Sequence, residues 1–172
     1  VIEMVSEGRV EMGVAFEPQA SASLLFTPLG VDRFVAVVPR ESPLAQKSHL
    51  TWRELLAHDF ITLQRPSAVR LMLEERLLAH GYPLKVAFES HQLVTVGHMV
   101  ANGLGVSAVP ALCEKQMIGL GAACLPLSHP VIERQIGVVR TTHGQLSTAA
   151  SALLKTFREQ FSVGAEAADI RA

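Results

Sequence analysis

One stretch of the sequence decides the fold, and it reads SHQLVTVGHMVANGLGVSAVP from Ser90 to Pro110. Its spacing predicts a helix with two faces, an apolar one carrying Leu93, Val96, Gly97, Val100 and Ala101 and a polar one carrying Thr95, His98 and Asn102. Ser90 is expected to cap this helix by accepting from the amides of its first turn. Asn102-Gly103 is expected to end it, and the apolar run from Gly105 to Val109 predicts a buried strand.

The end of this stretch resembles a known sequence pattern. VANGLGVSAVP, from Val100 to Pro110, is similar to the pattern lVaxGlGvallP, which is typical of the effector-binding domain of LysR-type transcriptional regulators. Asn102 stands where the family usually has a small residue, and Ser107 occupies one strand position. The resemblance can be followed along the rest of the chain.

Further motifs of the family occur in its order from Val1 to about Phe161. They are Gly8–Val14, which resembles GelDlgI with Glu11 in place of Asp; Leu29–Ala45, which resembles pLxxexlxlvvpxxhPLa; Leu50–Ile61, which resembles vtlxdLaxxpfI; and the stretch from Leu146, which resembles LSxAAxaFxxxL with Leu153 in the Phe position. The sequence is therefore identified as a member of this family of domains.

Strands alternate with helices in the predicted order, and several strands are apolar throughout, which predicts an α/β protein with parallel sheets covered on both faces. The resemblance implies two Rossmann-like lobes joined by two crossing strands, the type II periplasmic-binding-protein fold. The expected division is residues 1–34 for the remainder of lobe I, 35–134 for lobe II with a crossing strand at 34–38, 135–162 for the return strand and the C-terminal helix on lobe I, and 163–172 for a frayed tail.

The resemblance also implies that the N-terminal part of the family is absent from this sequence. A winged helix-turn-helix with its linker helix, and the first strand, first helix and second strand of the first lobe, would precede Val1. We therefore expect an N-terminally truncated domain with an incomplete first lobe, which would reach DNA only through the missing N-terminal domain.

Composition limits the partners and cofactors. The 172 residues are 49% hydrophobic and 18% charged with a net charge of -1, so we expect a packed core and no bulk electrostatic attraction to DNA or membranes. No apolar run approaches the roughly 20 residues needed to cross a bilayer. Cys113 and Cys124 are expected to be reduced thiols, and no zinc-ligand spacing is found. We expect no cofactor, and the resemblance implies a cytoplasmic protein.

A ligand site is predicted at Gln64-Arg65-Pro66-Ser67, between the apolar strand Phe60–Leu63 and a helix. Ligands of parallel sheets bind beyond the carboxyl ends of the strands, and the start of a helix offers free amides to an anion. Arg65 would add a cationic fork, or else be only a solvated surface charge. Ser67 would donate to the ligand, or else only cap the helix.

The resemblance implies an effector-sensing domain whose lobes close on a small metabolite, expected to be anionic, in the cleft between them. It carries the effector contacts of the family onto Phe16, Gln64 and Ser67, although Phe16 is as readily interpreted as a core aromatic. It also implies a homodimer or homotetramer with Thr95 and His98 in the interface. The alternatives are a stand-alone solute-binding protein of a transporter, which would share the fold, and a pure interaction domain.

The motifs of common enzymes are not found in this sequence. Gly105–Val109 has Val in place of the second glycine of the GxSxG elbow. Gly103-Leu104-Gly105 lies between a helix and a strand, the reverse of the order that binds a dinucleotide, and its third glycine is missing. We expect no catalytic residues and no enzyme activity.

Overall fold

A computed structural model describes residues 1–18 and 21–168 of the chain. The chain divides into two compact units, the first formed by Val1–Asp32 with Arg134–Ala172 and the second by Arg33–Glu133. It passes from one unit to the other twice, within the long strand Leu24–Pro39 and at the start of the strand Glu133–Thr141.

Helices and strands alternate through most of the chain. The helices are α1 (Ile2–Ser6), α2 (Trp52–Leu55), α3 (Ala68–Ala79), α4 (Leu93–Ala101), α5 (Glu114–Gly119) and α6 (Thr148–Ala168). The strands are β1 (Met12–Phe16), β2 (Leu24–Pro39), β3 (Leu50–Thr51), β4 (Phe60–Leu63), β5 (Val86–Ser90), β6 (Ser107–Pro110), β7 (Ala122–Ser128) and β8 (Glu133–Thr141). Two short 3-10 helices lie at Pro43–Gln46 and Ala111–Cys113.

The first unit is built on an antiparallel strand pair and the last helix. β1 pairs with β8 in a register that runs from Met12 opposite Arg140 to Phe16 opposite Ile136, and β8 lies next to β2 in the same sheet. Leu29, Val138 and Leu154 form the buried core of this unit. Leu154 therefore anchors α6 to the strands.

The apolar face of α6 is narrower than the sequence predicts. The sequence predicts one apolar face for this helix, with Ala150, Leu153, Leu154, Phe157 and Phe161 on it. Leu154 is buried and Phe157 is half-buried, but Leu153 and Phe161 are 48% and 44% exposed. The prediction is wrong for Leu153, because residues one position apart on a helix point about 100° apart and Leu154 is the one that faces the strands. Phe161, seven positions after Leu154, lies on the same face and packs against Phe157, with 6.3 Å between the ring centres. The helix continues to Ala168, beyond the predicted start of a frayed tail at 163, and residues 169–172 lie outside the described residues.

The second unit is organised around the apolar half of β2. Its side chains alternate between two cores, one with Phe34, Ala36, Val38, Trp52 and Leu73 and the other with Val35, Val37, Ile61, Val96 and Val100. Successive side chains of a strand point to opposite faces, so a strand with a core on each face is apolar at every position. The continuous apolar run is thereby explained.

The prediction that such strands pair in parallel is wrong for β2. It is antiparallel to both β6 and β7, whereas parallel pairing occurs between β3 and β7 and between β4 and β5. Burial on both faces, and not strand direction, produced the apolar run. The result is an α/β protein with mixed sheets.

The starts of two helices test the caps that the sequence predicts, since Thr51-Trp52-Arg53-Glu54 has the pattern of a capping box as Ser90 has that of a simple cap. α2 begins with a complete capping box, in which the Thr51 hydroxyl accepts from the amide of Glu54 and the Glu54 carboxylate accepts from the amide of Thr51. Ser90, in contrast, does not cap α4, because β5 extends through Ser90 and the helix begins after Gln92. The predicted cap at Ser90 is therefore wrong, and its hydroxyl instead accepts from the amide of Gln92 at 3.3 Å.

The turn after α4, from Asn102 to Val106, packs closely against the start of β4. Gly103 has a φ of +79°, which a residue without a Cβ adopts at no steric cost. Gly105 passes so close to β4 that a Cβ there would overlap the carbonyl oxygen of Asp59. The amide of Val106 donates to that same oxygen at 2.9 Å, and the buried Ser107 hydroxyl donates to the carbonyl oxygen of Ile61 at 2.7 Å.

Candidate functional site

The loop Gln64–Ser67 lies where β4 ends and α3 begins, as predicted. The amide of Gln64 donates to the carbonyl oxygen of Ser90 at 2.8 Å, which fixes the loop to the end of the neighbouring parallel strand β5. Ser67 is the residue before α3, and its hydroxyl accepts from the amide of Arg70 at 3.5 Å. Ser67 thus caps the helix, while Gln64, Arg65 and Pro66 are exposed to solvent.

Arg70, on α3, bonds to residues of β4 and β5 next to this loop. Its side chain is only 7% exposed, and it donates from Nε to Glu74 at 2.9 Å and from Nη1 to the carbonyl oxygen of Leu63 at 3.0 Å. Nη1 also donates to Glu89 on β5 at 2.5 Å. Burial on its own would lower the pKa of Arg70, but the hydrogen bonds to Glu89 and Glu74 raise it above its usual value. Arg70 therefore stays charged and holds α3, β4 and β5 in register.

Arg65 is not an isolated surface charge. Its Nη2 atom donates to Glu74 at 2.6 Å, although the side chain is 64% exposed. Burial would raise the pKa of Glu74, but hydrogen bonds from Arg65 and Arg70 lower it below its usual value. Two arginines and two glutamates meet here, since Glu89 also contacts Arg70. Their formal charges cancel, so an anion at Arg65 would compete with Glu74 for the positive charge of the guanidinium.

The sequence predicted part of this cluster. The spacing of Arg70 and Glu74 on one helix predicts an ion pair, which is confirmed. The contacts of Arg70 with Leu63 and Glu89 were missed, because they depend on the register of β4 against β5, in which Leu63 lies opposite Ser90. The available signal in the sequence for these contacts was the adjacent acidic and polar pair Glu89-Ser90 at the end of β5.

Phe16, the remaining predicted contact, lies in the first unit at the end of β1. It is half-buried, and the guanidinium carbon of Arg134 lies 3.2 Å from the centre of its ring. Arg134 in turn contacts Asp32 at 3.5 Å, and both of these charged side chains are buried. Phe16 therefore packs against the buried charged pair of Arg134 and Asp32, which the sequence did not predict.

The predicted interface residues lie on the outer face of α4. Val96, Gly97 and Val100 are buried beneath the helix, while Thr95 and His98 are exposed one turn apart. The polar and apolar faces of this helix therefore lie as its sequence predicts.

Other features of the described residues are less closely related to the predicted site. A cavity of about 310 Å³ in the first unit is lined by Pro28–Val31, Gln135, Arg158 and Phe161, and contains none of the predicted contacts. Within residues 1–18 and 21–168, no three His, Cys, Asp or Glu side chains form a group that could hold a metal ion. In the same part of the chain, no helix combines the length and apolar character that a membrane span requires.

Comparison with known families identifies the chain. The family model of the LysR substrate binding domain matches residues 1–162. The chain belongs to this family. Among relatives, YbhD of Escherichia coli strain K12, an uncharacterized HTH-type transcriptional regulator, is 32% identical over 149 residues, which are 87% of this chain and 47% of YbhD.

Solved structures of LysR-type proteins share the fold. The regulatory domain of CcmR from Synechocystis PCC6803, in complex with 2-PG, superimposes with a TM-score of 0.80 and 20% identity over 92% of this chain and 77% of that one. The effector binding domain of QuiR, in complex with shikimate, gives a TM-score of 0.79 and 17% identity over 96% of this chain and 77% of that one. The predictions of the family and of the periplasmic-binding-protein-like fold are therefore confirmed.

The match covers only part of the longer relatives. This LysR substrate-binding chain spans about half the length of the first curated regulators that it matches, between 47% and 55%. These relatives are named as HTH-type transcriptional regulators. The transcriptional activator protein LysR of Escherichia coli strain K12 is 27% identical over 147 residues, which are 81% of this chain and 46% of that protein.

Proposed function

We propose that this chain is the effector-binding part of a LysR-type transcriptional regulator and binds a small acidic metabolite at Gln64–Ser67. The family match over residues 1–162 is the observation that carries the proposal of a regulator. CcmR and QuiR, which share the fold, were solved with 2-PG and shikimate, and this supports a small-molecule effector. A solute-binding protein of a transporter gains no support from these relatives.

The loop offers hydrogen-bonding groups that suit an acidic ligand. It precedes the 12-residue helix α3, whose first amides carry a partial positive charge. Gln64 is exposed and brings an amide donor and acceptor, while the Ser67 hydroxyl can donate outward because it accepts from Arg70. The Gln64–Ser90 hydrogen bond and the buried Arg70 hold these groups in place before any ligand binds.

Arg65 can join the ligand at low cost. Exposed ion pairs contribute about 0 to 1 kcal/mol, and Arg65 is mostly exposed. When Arg65 leaves Glu74, the carboxylate keeps its hydrogen bond from Arg70 and is not left without a cation. We therefore propose that the acidic group of the effector replaces Glu74 as the partner of Arg65. That Phe16 contacts the same ligand stays a prediction.

A ligand shifts a conformational equilibrium only by its different affinities for the two states. We propose that the effector does so here and that the change reaches DNA through an N-terminal winged helix-turn-helix of the whole protein. We also propose a cytoplasmic homodimer or homotetramer, with Thr95 and His98 of α4 in the interface, and no enzyme activity.

A thermal-shift screen with small acids tests the proposed function. The panel contains shikimate, 2-PG, dicarboxylates and aromatic carboxylates, each beside its neutral methyl ester or alcohol where one exists. An effector at about 100 times its dissociation constant stabilises the folded state by about 2.7 kcal/mol, which corresponds to a rise in melting temperature of roughly 5 to 10 °C. We expect at least one acid to do this and its neutral analogue to fail. A panel without any shift would contradict the proposal.

A further inference from the structure

The two strands that connect the units carry charged residues at matching places. The chain leaves the first unit after Asp32 on β2 and returns to it at Arg134 on β8. The neighbours Arg33 and Glu133 are exposed, but Asp32 and Arg134 are 4% and 9% exposed as whole residues. Alternation along each strand thus turns one charge of each dipeptide inward, at the residue of the first unit that borders the second.

These two inward charges meet over an aromatic ring. Arg134 Nη2 lies 3.5 Å from Asp32 Oδ2, and its guanidinium carbon lies 3.2 Å from the ring centre of Phe16. A guanidinium over a ring face is attracted by the electrons of the ring, most strongly where water is excluded. The contact with Asp32 is longer than the 2.7–2.9 Å or so of a tight charge-assisted bond. The distance between the two charged groups is therefore sensitive to small displacements of either strand.

We propose that Asp32, Arg134 and Phe16 form a clamp that fixes the two connecting strands to each other where they leave the first unit. Arg134 is its positioning residue, because it contacts a partner on β1 and a partner on β2. A buried charge that loses its partner is strongly unfavourable, so the strands are held in the one register that keeps the pair together.

The clamp gives the candidate contact Phe16 a second role. The family resemblance predicts Phe16 as an effector contact, and the same ring is the group on which Arg134 rests. Only the effector contact rests on the proposed function, since the clamp itself exists in the protein without any ligand.

Amide hydrogen exchange followed by NMR in the ligand-free protein tests the clamp. Asp32→Asn keeps the shape of the side chain and removes its charge. We expect amide exchange in residues 31–35 and 132–136 to become at least tenfold faster, with unchanged exchange in α3 and α4 of the second unit. Arg134→Lys, which keeps the charge but loses the planar face, and Phe16→Leu, which keeps an apolar side chain, should each give a smaller increase in the same two stretches.

Glu7→Gln is the matched control, because Glu7 forms an exposed ion pair with Arg9 in the same unit. Amide exchange in this variant should equal that of the wild type in both stretches. Unchanged exchange in Asp32→Asn, or an increase spread evenly over both units, overturns the clamp. If Asp32→Asn does not fold, amide exchange in Phe16→Leu decides: faster exchange confined to residues 31–35 and 132–136 supports the clamp, and unchanged exchange overturns it. A failed ligand screen would instead overturn the proposed function and leave these exchange rates unaffected.

Discussion

Arg70 Nε donates to Glu74 Oε1 at 2.9 Å across one turn of α3, and this buried arginine also bonds the last carbonyl of β4. The contact is therefore more than a helical surface pair, because it closes the end of the sheet beneath the proposed ligand loop. Its contribution to stability can be separated from that of the exposed Arg65, which shares Glu74.

Arg70→Met should lower the free energy of unfolding by about 2 to 4 kcal/mol, slightly below the usual cost of breaking a fully buried pair because Glu89 is partly exposed. Arg65→Met is the matched control and should cost about 1 kcal/mol or less. Urea denaturation of the wild type and the two variants measures both losses in the free energy of unfolding. Equal losses in the two variants would show that Arg70 is no more important than a surface charge.

The capping box of α2 predicts a pH dependence of stability. Hydrogen bonds from Lys47 and Thr51 lower the pKa of Glu54 from 4.5 to about 2. A carboxyl whose pKa is lowered by folding contributes stability that is complete above its unfolded pKa and is lost as the pH falls through the folded value. Glu54 should therefore stabilise the protein fully above about pH 5, with the contribution declining between about pH 4.5 and pH 2.

Glu54→Gln tests this dependence directly. The free energy of unfolding of the variant should lie below that of the wild type at pH 7, and the difference should shrink as the pH falls below 4.5. Denaturant titrations at pH 7, 4 and 3 measure it, with Glu7→Gln as an exposed control. A difference that stays constant from pH 7 to pH 3 would refute the coupling.

The glycine at the end of the α4 turn is required by a close approach. Gly105→Ala should destabilise the protein by about 2 kcal/mol or more, because overpacking against backbone typically costs 1–3 kcal/mol and the Asp59 carbonyl already accepts from Val106. Gly119→Ala on α5 is the control, since a Cβ there meets nothing within 4 Å. Thermal denaturation of the two variants gives the comparison, and a Gly105→Ala protein as stable as Gly119→Ala would contradict the packing described.

The sequence predicted what depends on local pattern. The faces of α4, the box at Thr51 and Glu54, and the loop at Gln64–Ser67 follow from spacing and cap chemistry, and the family resemblance supplied the fold. The predicted cap at Ser90 was wrong because β5 extends through it, and strand length depends on pairing with β4.

Contacts between distant parts of the sequence could not be predicted in this way. The contact of Asp32 with Arg134 joins residues that are 102 positions apart, and the contact of Arg70 with Glu89 requires the register of two strands. Arg65 was expected either to bind ligand or to be solvated, and its pairing with Glu74 became visible only when the loop was placed against α3.

The exposed face of α4 predicts the behaviour of the oligomer. If Thr95 and His98 lie in a homodimer interface, Thr95→Glu with His98→Glu would bury two unpaired negative charges of each protomer there and dissociate the dimer. Leu71→Glu with Leu78→Glu, on the exposed face of α3, adds the same charge elsewhere. Sedimentation velocity should show a monomer for the first variant and a dimer for the second. Identical sedimentation of both would remove these residues from the interface.

Calorimetric titration of the Arg65→Ala, Ser67→Ala double variant tests the ligand site most directly. With the acid that stabilises the wild type, we expect affinity to fall about tenfold or more, because hydrogen bonds to a charged group contribute about 1.5–3 kcal/mol each. Arg9→Ala, which removes an equally ion-paired, exposed arginine far from this loop in sequence, should bind as the wild type does. An unchanged affinity in the folded double variant would contradict a site at Gln64–Ser67.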